Sequence, residues 1–148
     1  MEELAVVGAL IAVVLTGIGA TIGEWQVAEE SLEILGKNPS LAGVLKSITI
    51  LGIALVESAA IYGLVVALLI LFTAGIGAAQ AIVAGATIGG VGLFTCLAEA
   101  KVVKKALAAI FRNPEAEGEI KTNMILFVAL VESAAIYALV TALLVIFA

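Results

Sequence analysis

The chain has 148 residues, 64% of them apolar and only 13% charged, with a formal net charge of −5. So much apolar surface exceeds what a soluble core of this size can bury, and so little charge excludes a disordered chain. The acidic balance excludes nucleic acid as a partner, and one cysteine (Cys96) with no histidine excludes a disulfide framework and the usual zinc sites.

What remains is a polytopic membrane protein, in keeping with a mean hydropathy of +1.27. A helix needs about 20 apolar residues to cross the hydrocarbon core. Residues 4–23 supply the first run, beginning LAVVGALIAVVLTGIG. Acidic Glu2 and Glu3 precede it, where a cleaved signal peptide has basic residues, so a retained helix is expected. Residues 47–79 supply a second run interrupted only by Glu57, residues 75–98 a third, and residues 123–148 a fourth interrupted only by Glu132. Charged segments 24–46 and 99–121 separate the runs, and a weak break at Thr73-Ala74-Gly75-Ile76-Gly77 joins the two halves. The expected helices span about 4–35, 41–72, 77–110 and 116–147, placing hairpin 1 in residues 1–73 and hairpin 2 in residues 74–148.

All seven basic residues (Lys37, Lys46, Lys101, Lys104, Lys105, Arg112 and Lys121) fall in the two charged segments. The positive-inside rule then places both turns in the cytoplasm and both termini outside. With no organelle-targeting signal in view, the expected location is a prokaryotic plasma membrane, with the protein spanning it several times.

The strongest signal is internal. Residues 55–72 read LVESAAIYGLVVALLILF and residues 130–147 read LVESAAIYALVTALLVIF, identical at 14 of 18 positions at an offset of 75. The same offset carries Lys37-Asn38-Pro39 onto Arg112-Asn113-Pro114 and Glu24 onto Glu99. The chain therefore reads as an all-α membrane protein of four transmembrane helices, two tandem hairpins in parallel orientation. An even number of crossings per repeat excludes an inverted repeat. Such hairpins present similar faces at each end, a head-to-tail arrangement that builds a ring when the rotation closes. Helices 1 and 3 are rich in small residues, with Gly19 and Gly23, and Gly85 and Gly89, each four apart, which suits close helix packing in lipid.

Glu57 and Glu132 sit inside otherwise apolar spans, where a charge is costly and marks a functional site by default. Glu57 lies 18 residues after Pro39 and Glu24 lies 15 before it, and Glu99 and Glu132 stand in the same relation to Pro114. At about 1.5 Å per residue, each hairpin brings two carboxylates to similar heights. Ser58 and Ser133 follow the central acids, and Tyr62 and Tyr137 lie five positions beyond them. Hydroxyl and carboxylate oxygens suit a hard cation. Two close carboxylates retain one proton between them, so one Na⁺ and one H⁺ give a neutral site, with H⁺ the competing ion.

This combination resembles the proteolipid subunit that forms the membrane rotor ring of rotary ATPases, along essentially the whole chain. The duplicated hairpin is similar to the V/A-type form, and Glu-Ser followed by Tyr resembles the sodium-binding signature in a two-carboxylate variant. The resemblance implies Na⁺ (or, alternatively, H⁺) carried by Glu57 and Glu132, with Glu24 and Glu99 as second carboxylates. It implies that Ser58 and Ser133, with the carbonyls of Leu55 and Leu130, are ligands from the adjacent hairpin, and that Tyr62 and Tyr137 lock the carboxylates. Ala59 and Ala134 stand where some sodium rings have Thr supporting a bound water. Implied partners are further copies in a homo-oligomeric ring, a membrane stator subunit, the lipid bilayer and a central stalk gripped by the turns at Lys37, Asn38, Pro39, Arg112, Asn113 and Pro114. No GxxxxGK[ST] occurs, so no nucleotide site and no catalysis by this chain itself are expected. A four-helix exporter and a purely structural ring are the competing readings. The 75-residue parallel repeat and the four paired acids count against the exporter; a structural ring would keep ion-coupled ATPase activity with Glu57 and Glu132 changed to Gln.

Overall fold

The computed structural model describes the backbone of residues 2–148 and the side chains from residue 4 onward; Met1 and the side chains of Glu2 and Glu3 lie outside the described residues. Five α-helices follow one another: α1 (Glu2–Lys37), α2 (Ala42–Val56), α3 (Ser58–Phe72), α4 (Ala78–Arg112) and α5 (Glu117–Phe147). Short 3-10 turns at Pro39–Leu41 and Pro114–Ala116 lead into α2 and α5. Four segments are long and apolar enough to cross a membrane: Leu4–Lys37, Pro39–Phe72, Ala78–Arg112 and Pro114–Phe147. At about 1.5 Å per residue a 34-residue helix is roughly 50 Å long, against a hydrocarbon core of about 30 Å. The helices therefore run on through the charged segments and project beyond the membrane at the end that holds the basic residues.

Local chemistry explains where the helices stop. Pro39 and Pro114 each open a new turn, where the missing N–H costs nothing. The Asn38 side-chain oxygen accepts from the Ser40 hydroxyl at 2.6 Å and from the Ser40 N–H at 3.3 Å. Between the hairpins, Gly75 takes φ +75°, a left-handed conformation that a Cβ disfavours. The Gln80 side chain then accepts from the Gly77 N–H at 3.0 Å and donates to the Val145 carbonyl at 3.3 Å, tying the start of α4 to the end of α5.

The helices form two layers. α1 packs most extensively on α4, while α2, α3 and α5 lie against that pair. Glycine makes the inner contact close: a Cβ on Gly85 would overlap the Gly8 carbonyl, and one on Gly19 would sit 2.7 Å from the Leu93 carbonyl oxygen. Lipid supplies no hydrophobic force between helices, so dispersion across such backbone contacts holds them. One buried cluster (Val27, Ile34, Leu45, Ile48, Val103 and Leu107 among its members) fills the turn end, and a second (Ala9, Ala12, Val66, Ala81 and Ile88 among its members) fills the end near the termini.

The second span carries one local irregularity. At Glu57, between α2 and α3, the backbone stays right-handed helical (φ −74°, ψ −20°) and the Glu57 N–H still donates to the Ile53 carbonyl at 3.0 Å, so the span continues, while α5 runs regularly through Glu132. Ser58 donates back to the Leu55 carbonyl at 2.7 Å, as Ser133 does to Leu130 at 2.8 Å, but only Ser58 also meets a carboxylate from another helix. A serine bonded to its own preceding turn bends a helix. The irregularity occurs where that serine also carries a contact across the hairpin boundary.

Candidate ion-binding site

Between the two cores lies a polar cluster built from both hairpins. α5 supplies Glu132 and α4 supplies Glu99, whose side chain is fully buried. From hairpin 1, the Ser58 hydroxyl lies 2.6 Å from Oε2 of Glu132 and 2.7 Å from the Leu55 carbonyl oxygen. One hydroxyl hydrogen cannot serve both acceptors fully, so the three oxygens crowd a single point. Tyr62, half-buried between the two cores, places its hydroxyl beside the Glu132 carboxyl, and the Glu99 and Glu132 carboxyls are close neighbours.

Among the described residues, three buried oxygens here have no hydrogen-bond partner: Oε1 and Oε2 of Glu99 and Oε1 of Glu132. Buried polar atoms are nearly always paired, and leaving them unpaired costs on the order of 1–3 kcal/mol each. Carboxylate, hydroxyl and carbonyl oxygens around one point are the donor set of a hard cation, and protons shared between the acids would satisfy part of the same set. No three acidic or thiol groups converge among the described residues, as a transition metal would require. The four acids sit in two pairs.

The second pair is arranged differently. Glu24, half-buried on α1, is close enough to Glu57 for their charges to interact, and Glu57 is exposed. The hairpin 2 counterparts of Leu55, Ser58 and Tyr62 lie on the other face, on α5: Leu130 is 64% and Tyr137 69% exposed, and half-buried Ser133 bonds only its own turn. The chain thus holds one assembled set (Glu99, Glu132, Ser58, Leu55, Tyr62) and the two halves of another on separate faces (Glu24 and Glu57; Ser133, Leu130 and Tyr137). Ala59 is fully buried and Ala134 exposed, which follows the same division. Lys37, Asn38 and Pro39 link α1 to α2, Arg112, Asn113 and Pro114 link α4 to α5, and Lys37 pairs with Glu33.

Two features were not singled out in the sequence. Cys96 is fully buried on α4, one turn before Glu99. Its spacing of three from Glu99 places both on one helix face, which is the available signal. Ser31 on α1 and Thr49 on α2 join hydroxyls at 2.6 Å, and neither belongs to a recognisable motif.

A family model for the ATP synthase C subunit matches the chain twice, over residues 7–70 and residues 82–145. ATP synthase subunit c 2 of Cereibacter sphaeroides is 37% identical over 72 residues, covering 49% of this chain and 87% of that protein. The ATP synthase c subunits of Bacillus thuringiensis and Bacillus cytotoxicus are each 37% identical over 69 residues, 47% of this chain and 96% of each relative. Each relative is therefore similar to about one hairpin's length of this chain.

Proposed function

The chain belongs to the ATP synthase C-subunit family, and from that membership we propose that it is a membrane rotor subunit of the duplicated V/A type, carrying Na⁺ at its paired glutamates. The single observation that carries the sodium reading is the Ser58 hydroxyl set between Glu132 and the Leu55 carbonyl, beside three buried carboxylate oxygens without partners. A carrier of protons alone needs one carboxyl and no hydroxyl or carbonyl ligands. The fusion of two hairpins in one chain, each twin keeping its acids, supports the duplicated form with two ion sites per chain.

Copies of the chain close into a ring beside a stator subunit. Na⁺ enters from one side, binds a Glu pair that keeps one proton, and leaves a neutral site able to face lipid. The ring turns, and the ion departs on the other side. The polar turns, cytoplasmic by their basic residues, grip the central stalk and pass torque to or from the nucleotide-binding part of the complex. The chain performs no catalysis itself.

The test uses the purified assembly and a carboxyl-reactive carbodiimide, which modifies only protonated, accessible acids. Labelling of Glu57 and Glu132 is followed by mass spectrometry with Na⁺ or K⁺ across pH. Protection by millimolar Na⁺ and not by K⁺ is expected. Labelling that follows pH alone overturns the sodium reading in favour of a proton-coupled rotor.

A further inference from the structure

The exposed apolar faces of α1 and α4 are related by the 75-residue repeat to the faces that meet inside the chain. At four places a glycine lets α1 and α4 touch backbone to backbone. Gly8 meets the Ala81 carbonyl and Gly85 the Gly8 carbonyl, while a Cβ on Gly19 or on Gly89 would lie 2.7 Å from the carbonyl oxygen of Leu93 or of Ile11. Carried by the repeat to the outer faces, Gly8 and Gly19 become Val83 and Phe94 of α4, and Gly85 and Gly89 become Leu10 and Val14 of α1. Each glycine is replaced by a larger side chain, and all four of those side chains are exposed in the single chain.

A second contact changes in the same way. Inside the chain Gly52 of α2 receives the Val103 side chain of α4. The repeat turns this pair into Phe127 and Ala28. Phe127 lines a groove of about 640 Å³ between α4 and α5, together with Val102 and Ile120. Their counterparts on hairpin 1, Val27 and Leu45, are fully buried beneath hairpin 2. The half-sets of polar residues point the same way: outward Ser133 and Tyr137 lack a carboxylate, and outward Glu57 lacks a hydroxyl.

We infer that the outer face of α4 and α5 seats α1 of a second copy head to tail, with Phe94 against Ile18 and Phe127 against Ala28, and that this seam holds the α1 and α4 backbones farther apart than the glycine contact inside the chain. The inference rests on the ring reading above. Side chains where glycines stood cannot occupy the space of a backbone contact, so the helices must separate. A ring of these chains then alternates close and wide seams, and its building unit is the four-helix chain rather than the hairpin. The assembled Glu99–Glu132 set sits at the close seam, and the Glu24–Glu57 pair is completed at the wide one.

The test is crosslinking in the membrane-assembled protein carrying Ile18→Cys with Phe94→Cys, and a second variant carrying Leu10→Cys with Val83→Cys. All four positions are exposed in the chain, and buried Cys96 is common to the single-cysteine controls. A disulfide needs Cα atoms within about 7 Å. A short bis-maleimide is expected to give a ladder of linked copies, while direct oxidation gives little. A ladder formed readily by direct oxidation overturns the wide seam. No ladder with either reagent, in protein that native mass spectrometry shows to be oligomeric, overturns the pairing and leaves the ring reading standing. Monomers in the unmodified protein overturn both.

Discussion

The Ser58 hydroxyl stands 2.6 Å from Oε2 of Glu132, although the two residues are 74 positions apart and belong to different hairpins. The acid and its hydroxyl therefore come from opposite sides of a helix-packing interface. Occupancy of the site is coupled to the way the hairpins seat against each other. Replacing Ser58 with Ala is expected to weaken Na⁺ protection of Glu132 about tenfold, the scale of a lost hydrogen bond or ligand at a charged group. Protection of Glu57 is expected to hold, because on the ring reading its hydroxyl is Ser133 of a neighbouring copy. Site-resolved carbodiimide labelling reads both.

On the proposed sodium reading, Na⁺ and protons compete for the same carboxyl oxygens. Binding one Na⁺ expels one proton, so the Na⁺ concentration that half-protects Glu132 is expected to rise about tenfold for each unit the pH falls while the acid is mostly protonated. Labelling titrations at three pH values measure the slope. In Glu132→Gln that label disappears, whereas Glu99→Gln is expected to keep it and to need more Na⁺ for protection.

The glycine contacts are a prediction about stability. Gly85→Leu drives a side chain into the Gly8 carbonyl and is expected to destabilise the chain by about 1–3 kcal/mol or more, as overpacking does. Gly43 has open space around its missing Cβ, and Gly43→Ala is expected to be neutral or to stabilise α2 by up to about 1 kcal/mol. Thermal unfolding in detergent separates the two outcomes.

The hairpin connection depends on one backbone conformation. Gly75 has φ +75° with open space around it, so an alanine there meets no neighbour and is penalised only by its own Cβ. Gly75→Ala is expected to cost about 1–2 kcal/mol. Unfolding midpoints of this variant against Gly43→Ala test it.

Much of this architecture was legible in one dimension. Span number follows from apolar run length, because an apolar run of that length has one stable place. The tandem hairpins follow from the 75-residue offset, and the parallel orientation from the parity of crossings. Even the pairing of Glu24 with Glu57 and of Glu99 with Glu132 is contained in their distances from Pro39 and Pro114, since helix rise converts residue number into depth. What the spacing leaves open is rotation about each helix axis and the partner across each interface. Only the tertiary structure decided that Ser58 and Tyr62 stand beside Glu132, that Cys96 is buried one turn before Glu99, and that one polar set is assembled while its twin is divided. Those features depend on which glycines meet which backbones between α1 and α4. Identical octapeptides, residues 55–62 and 130–137, acquire different surroundings because one lies at an interface within the chain and the other on its outer face.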